Sequence, residues 1–547
     1  MRAYKYNSKR LNLLVAFVLA CFIVILGRVF YCQIINPQSY VLGTSYQEPS
    51  GSSPRGRIYV SDISGEKIPI AVNITKWRLV ADPSKIDNPK EVLNKLSSYL
   101  NIPSYFFDEN SSKDSEENQE DMERFEEMLD GLSKKSSHYY VLKILDTQEK
   151  EEIEKLDIKG IFFEKTLGRL WPEGEDFSHI TGFAILDVDG IKGQYGLEKY
   201  LDSHPGKDIE LTIDRTVQFF TCSFLEQAIK DYRAEGGTII VLGKYGEILG
   251  ICNSPSFNPN EYFKVEDFSV FQNMAVSGLY EPGSIFKVAT MAAGLDSKRI
   301  TPETTYFDKG FVAIGPEPEI IRNATKESYG TQTMTNVLEK SLNTGAVWVA
   351  QQLGKDLFKY YLKEFGFGSL TGIELPDEAR GNIENLDKPG EIYLATASFG
   401  QGITATPLQV ANFFLLVANR GKLYQPYIIK GNGPKFIRNV FKRKQTGEEL
   451  VQMLVSVVEN GYGKRAKVDG YQIAGKTGTA EVPKEEGGGY GDKVIHSFAG
   501  FAPAQDPQFV ILVKLDNPQK GKFADSTAAP TFGKLAKFLL SYYHIAP

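Results

Sequence analysis

Hydrophobic and polar positions divide the chain into three stretches. Leu13 to Leu26 reads LLVAFVLACFIVIL, fourteen apolar residues in a row, preceded by Arg2, Lys5, Lys9 and Arg10 and with no acidic residue before Glu48. A spanning helix needs roughly 20 residues, and Gly27, Val29, Phe30, Tyr31 and Cys32 extend the run while Arg28 can reach an interface along its stem. The basic flank places the N-terminus in the cytoplasm. Arg28-Val29-Phe30 lacks the small residues of a cleavage site, and the apolar run continues past Cys21, which argues against lipidation there. The pattern predicts a short cytoplasmic tail and uncleaved transmembrane anchor over 1–33, with the remainder outside the cytoplasm.

From 34 to 206 the chain is polar and irregular, with short β-like runs such as Gly56-Arg57-Ile58-Tyr59-Val60. Residues 108–130 are strongly acidic and read as a solvated loop and exposed helix. After His204-Pro205-Gly206 the periodicity sharpens. Thr238–Leu242 and Glu247–Ile251 flank Lys244-Tyr245-Gly246 and predict a hairpin. Tyr471–Ala474, Ser497–Phe501 and Phe509–Leu515 read as further strands joined by short loops, hence antiparallel. Thr406-Pro407 is an N-cap with proline at the first helical position, and Phe532 to Tyr543 reads as a closing amphipathic helix. The fold class is α/β of the α+β type, an antiparallel sheet flanked by helices over 207–547, preceded by an extended pedestal over 34–206.

Composition narrows the function. A 547-residue chain with 42% hydrophobic residues has core material for two or more domains. Sixty-two basic against 68 acidic residues give a net charge of −6, against a nucleic-acid partner. Cys21, Cys32, Cys222 and Cys252 form no CxxC pair, and five histidines are scattered singly, so neither a metal nor a cofactor is expected. Whether Cys222 and Cys252 pair depends on the fold.

Three short elements carry the chemistry: Ser284-Ile285-Phe286-Lys287, Ser341-Leu342-Asn343 and Lys476-Thr477-Gly478-Thr479. Decoys of the first two exist at Ser64–Lys67 and Ser256–Asn258, but both sit in turn-like contexts. Ser284 opens the helical run IFKVATMAAGLD, so serine and lysine share one face. Ser341 follows the helix-like TNVLEK, and the single KTG follows β-like Gln472-Ile473-Ala474. With no histidine beside a candidate serine, Lys287 is the available base. A free lysine has a pKa of about 10.4 and must fall by about three to accept a proton near pH 7, which corresponds to roughly 4–5 kcal/mol. Burial can supply that much. A second ammonium, Lys476, some 4 Å away would add about 4 kcal/mol at an effective dielectric near 20.

An S-x-x-K with a KTG element is the pattern of penicillin-binding proteins and serine β-lactamases. The chain resembles the class B penicillin-binding proteins. Pro54-Arg55-Gly56-Arg57-Ile58 is similar to their RGxI, Gly193–Glu198 to GxxGLE, Leu211–Asp214 to LTID, and Gly400-Gln401-Gly402 with Thr406–Gln409 to GQG…TPLQ. Ile285 stands where threonine is usual, and Val60-Ser61-Asp62 where a DRNG-like run is expected.

The resemblance implies a penicillin-binding, β-lactamase-like transpeptidase domain acting on peptidoglycan stem peptides and acylated by β-lactams. It implies Ser284 as nucleophile, Lys287 as base, Ser341 as proton relay, Asn343 holding Lys287 and the acyl donor, and Lys476 as second cation. Thr477 and Thr479 would bind the terminal carboxylate, Gly478 would allow close approach, and the N–H groups of Ser284 and Thr479 would form the oxyanion hole. Tyr280–Ser284 and Ser398–Gly402 resemble the division branch, with a membrane-embedded septal glycan polymerase and other division proteins as partners. The alternatives are an elongation-type transpeptidase, a D,D-carboxypeptidase and, from another class, a β-lactam sensor or scaffold.

Overall fold

The computed structural model describes residues 55–107, 119–135, 140–187, 190–484 and 489–547. The expected anchor at 13–26 and the acidic run 108–118 lie outside the described residues. Among the described residues no helix is long and apolar enough to cross a membrane.

The N-terminal part is better ordered than its sequence suggests. Strands β1 (Ile58–Ser61), β2 (Lys67–Ala81), β3 (Tyr140–Leu145), β4 (Ile161–Leu170) and β5 (Ile209–Asp214) form one sheet in which β2 pairs with β1, β3 and β4. β5, from beyond the expected boundary at 206, pairs parallel with β1. Lys67, Asn73, Lys76 and Arg78 break the apolar pattern along β2, so its stretch reads as irregular in the sequence. Its ends are nevertheless apolar, and Ile70, Ala71, Val72, Leu79, Val80 and Ala81 are buried. The helix Gln119–Ser133 corrects another expectation. Its acidic face is solvated, but Phe125, Met128 and Leu132 share a core with Leu93, Leu96 and Leu100 of the helix Pro89–Leu100 and with Leu79.

Beneath this sheet lies a buried ion cluster. Glu198, fully buried, accepts from Arg55 Nε at 2.5 Å, Arg169 Nε at 2.7 Å and Trp171 Nε1 at 3.2 Å. Arg169 also donates to Asn73 Oδ1 at 3.0 Å and the Gly56 carbonyl at 2.8 Å. The Arg55-Gly56-Arg57 and Gly193–Glu198 segments thus lock together, because a buried carboxylate is tolerated only when matched by cations and hydrogen bonds.

The C-terminal sheet uses β6 (Gly236–Gly243), β7 (Ile248–Ser254), β8 (Ala474–Pro483), β9 (Tyr490–Ala502) and β10 (Phe509–Asp516) in the order β8-β9-β10-β6-β7, antiparallel throughout. β6 is apolar on both sides because helices cover both faces. Ile239 and Val241 pack against α1 (Arg215–Tyr232). Ile240 and Leu242 face the core that holds α2 (Lys287–Asp296), α3 (Pro407–Ala418) and α4 (Thr446–Glu459). The closing helix α5 (Ala528–Tyr542) shares the α1 face. α1 and β7 are joined by a Cys222–Cys252 disulfide with Cα atoms 5.3 Å apart, a pairing that sequence left open. Strand β8 begins where the sequence expected it to end, so Lys476–Thr479 lies inside a strand at the sheet edge.

Candidate active site

The three elements converge on one point. Ser284 sits in the 3-10 turn Gly283–Phe286, and Lys287 opens α2 on the same face, with Nζ 3.0 Å from Ser284 Oγ. The turn is tight on both sides. Gly283 has φ +60, and a Cβ there would stand 2.9 Å from the Thr479 carbonyl oxygen. Its N–H donates to the Gly400 carbonyl at 3.0 Å. A Cβ on Gly478 would meet Ser497 Oγ at 2.5 Å and Ile285 Cγ1 at 2.9 Å, so the edge strand lies directly on the serine turn. Ile285 fills that seam.

Ser341 lies between the helices Met334–Glu339 and Asn343–Leu353 with φ +53, a left-handed backbone costly for a residue with a side chain. The turn aims two of its oxygens at Lys287: the carbonyl lies 2.6 Å and Oγ 3.2 Å from Nζ. Lys476 Nζ lies 3.0 Å from the same Oγ and donates to the Thr477 carbonyl at 3.0 Å. The hydroxyl of Ser341 therefore bridges two amines.

Both amines are fully buried, and among the described residues neither has a carboxylate partner. Burial holds Lys287 well below its ordinary value, and the neighbouring Lys476 lowers it further. Burial also brings Lys476 down to about 7. Water exclusion thus leads and Lys476 adds to it, the order expected from the sequence, although Lys476 is itself only partly charged at neutral pH.

A model of the penicillin-binding protein transpeptidase domain matches residues 236–537, and one of the penicillin-binding protein dimerisation domain matches residues 50–204. The chain belongs to the class B penicillin-binding proteins. It is 30% identical to stage V sporulation protein D of Bacillus subtilis, over 98% of this chain and 86% of that protein. It is 28% identical to peptidoglycan D,D-transpeptidase FtsI of Escherichia coli, over 99% of this chain and 93% of that protein. Penicillin binding protein 3 of Mycobacterium tuberculosis, solved in complex with aztreonam, superposes with a TM-score of 0.64 at 30% identity, covering 70% of this chain and 92% of that one.

Not every expected contact of a class B site forms. Asn343 does not hold Lys287 here. Its Nδ2 donates to the Arg322 carbonyl at 2.8 Å, and the Ser341 carbonyl takes the lysine instead. Thr477 Oγ1 lies 3.3 Å from Lys476 Nζ, and Thr479 Oγ1 accepts from the Ala524 N–H at 3.3 Å. The decoys lie elsewhere: Ser64 donates to Asp62 in a turn, and Ser256 to Glu175 in a loop.

Two supporting groups were missed by the sequence reading. Asp308, fully buried, accepts from Thr344 Oγ1 at 2.8 Å, Gly310 N at 2.9 Å, Tyr329 N at 3.0 Å and Asn323 Nδ2 at 3.1 Å. It fastens the residue after Asn343 and with it the Ser341 turn. Glu281 accepts from Gly402 N at 3.0 Å and Tyr490 O–H at 2.9 Å, tying the serine turn to the Gly400–Gly402 loop and to β9. Glu281 stood inside the Tyr280–Ser284 motif with no role assigned to it, and Asp308 carries no sequence signal, because a lone carboxylate gains its meaning from partners distant in the chain.

Proposed function

We propose that the chain is a peptidoglycan D,D-transpeptidase and a target of penicillin. The observation that carries this reading is the chain Ser284–Lys287–Ser341–Lys476, linked at 3.0, 3.2 and 3.0 Å in a buried setting. Lys287, held neutral, takes the Ser284 hydroxyl proton as Oγ attacks the penultimate D-alanine carbonyl of a stem ending in D-Ala-D-Ala. The C–N bond breaks, and Ser341 relays a proton to the departing D-alanine amine. An amine of a second stem then attacks the ester, an amide forms, and its lost proton restores the Ser284 hydroxyl. Thr477 and Thr479 receive the donor carboxylate, and the N–H groups of Ser284 and Thr479 stabilise the oxyanion, at about 2.7–4 kcal/mol per donor. Asn343 acts from its place on Arg322 by contacting the donor peptide.

The same reading assigns 1–33 to a tail and anchor, 34–206 to a pedestal and 207–547 to the catalytic domain. The catalytic domain lies outside the cytoplasmic membrane. Septal cross-linking beside a membrane-embedded glycan polymerase is the cellular role we favour, on Tyr280–Ser284 and Ser398–Gly402. Mass spectrometry after penicillin exposure tests the chemistry: the wild type gains the adduct on Ser284, and an adduct retained by Ser284→Ala refutes the assignment. Depletion should yield filaments; a strain that divides normally but fails to sporulate moves the role toward that of the Bacillus relative.

A further inference from the structure

Outside the catalytic chain, a cavity of about 440 Å³ opens among residues 329–340, the 460–465 turn after α4 and Asp525. Lys340, Tyr462, Lys464, Arg465 and Asp525 are among its walls. Two connections set it beside the reaction. Lys340 directly precedes Ser341, and Asp525 follows Ala524, whose N–H donates to Thr479 Oγ1 at 3.3 Å. The 460–465 turn is held in place by Tyr462 N–H, which donates to the Glu339 carbonyl at 3.1 Å.

The charges around the cavity are not equally engaged. Glu339 also lines it, but its oxygens accept from Asn336 Nδ2 at 2.9 Å and from Ser456 Oγ. Lys340 stands 5.0 Å from the centre of the Tyr329 ring and donates to Gln332 Oε1 at 2.6 Å. Lys464 and Arg465 are exposed, and among the described residues neither forms an ion pair. Asp525 likewise forms no ion pair among the described residues, so the lining cations Lys340, Lys464 and Arg465 exceed the carboxylates Glu339 and Asp525 by one, and a walled, partly aromatic cavity with that excess suits an anionic peptide better than an apolar ligand.

We propose that this cavity is the subsite for the acceptor stem peptide and binds its C-terminal carboxylate. The proposal rests on the transpeptidase reading. Transfer brings two peptides of one chemical class to Ser284. The donor's carboxylate departs with D-alanine, whereas the acceptor keeps its own and needs separate cations. The cavity only binds: the bonds made and broken are those of the acyl transfer already described. β-Lactams bring no acceptor, so their reaction should not sense it.

The full-length protein and its Lys464→Gln/Arg465→Gln variant provide the test. The probes are a fluorescent penicillin, a donor peptide ending in D-Ala-D-Ala, and an acceptor peptide ending in either a free carboxylate or a carboxamide. The expected result is a loss of about tenfold in transfer to the carboxylate acceptor. Transfer to the carboxamide and penicillin acylation should stay within about twofold, and Lys464→Arg/Arg465→Lys should restore transfer. A wild type without preference for the carboxylate, or a variant that keeps that preference, overturns the subsite. Failure of the parent reading looks different: the wild type would form no penicillin adduct on Ser284.

Discussion

The pedestal and the catalytic domain each bury cationic side chains, with opposite consequences. Arg55 and Arg169 are matched by Glu198, and the cluster works as a clamp. Lys287 and Lys476 meet serine oxygens and one backbone carbonyl each, with no carboxylate between them among the described residues. A buried cation with a counter-charge remains a cation, and arginine can hardly do otherwise. A buried lysine without one lowers its charge by releasing a proton, and so becomes a base.

The sharpest way to break this contrast is to remove the base. Lys287→Met should cut acylation by fluorescent penicillin about 10³–10⁴-fold without lowering Tm, since an apolar side chain replaces an amine that burial disfavours. Retained acylation would mean that another group takes the Ser284 proton. The clamp should respond the other way. Glu198→Ala should lower stability by about 3–5 kcal/mol in denaturant unfolding, by stranding the buried Arg169 while Arg55 keeps Asp202 at 2.7 Å, and acylation per folded molecule should stay within about twofold. A loss below about 1 kcal/mol would show that Arg169 finds water instead.

Asp308 sharpens the comparison, being a buried carboxylate satisfied by neutral donors alone. Asp308→Asn should cost about 1–3 kcal/mol and slow acylation by less than about tenfold, because the Ser341 turn loosens while the lysines stay buried. Unchanged acylation with full loss of stability would limit Asp308 to a structural part. The mildest probe is pH. Acylation should rise as Lys287 loses its proton and decline above about pH 7 as Lys476, which donates to Ser341 Oγ, loses its positive charge. Stability carries its own sign. Lys476 titrates near 7 when folded and at 10.5 when unfolded, so its destabilising influence is complete below about pH 7 and fades as pH rises toward 10.5. A catalytic domain that loses Tm steadily from pH 7 to 9 would contradict this.

Local spacing and global pairing were not equally legible. The Ser284–Lys287 spacing could be read because a three-residue step along a helix brings side chains together wherever the helix lies. The near-continuous, β-branched apolar runs Thr238–Leu242 and Phe509–Leu515 likewise announced strands, since both faces of such a strand pack under helices. β2 could not be read so: its polar positions are explained by Arg169 on Asn73 and by Glu210 of β5 on Lys67, which only the folded sheet reveals. Asn343 was placed on Lys287 by family pattern, yet the 305–333 segment draws it to Arg322.

The amino-acid sequence by itself determined the kinds of group available, a hydroxyl, two amines and a glycine-opened strand, and their order along the chain, because those are properties of neighbours. Only the tertiary structure decided the protonation of those amines, the joining of Cys222 to Cys252, and the anchoring of the Ser341 turn by Asp308. Each of these depends on excluding water, or on meeting a partner tens of residues away, and neither exists until the sheet closes.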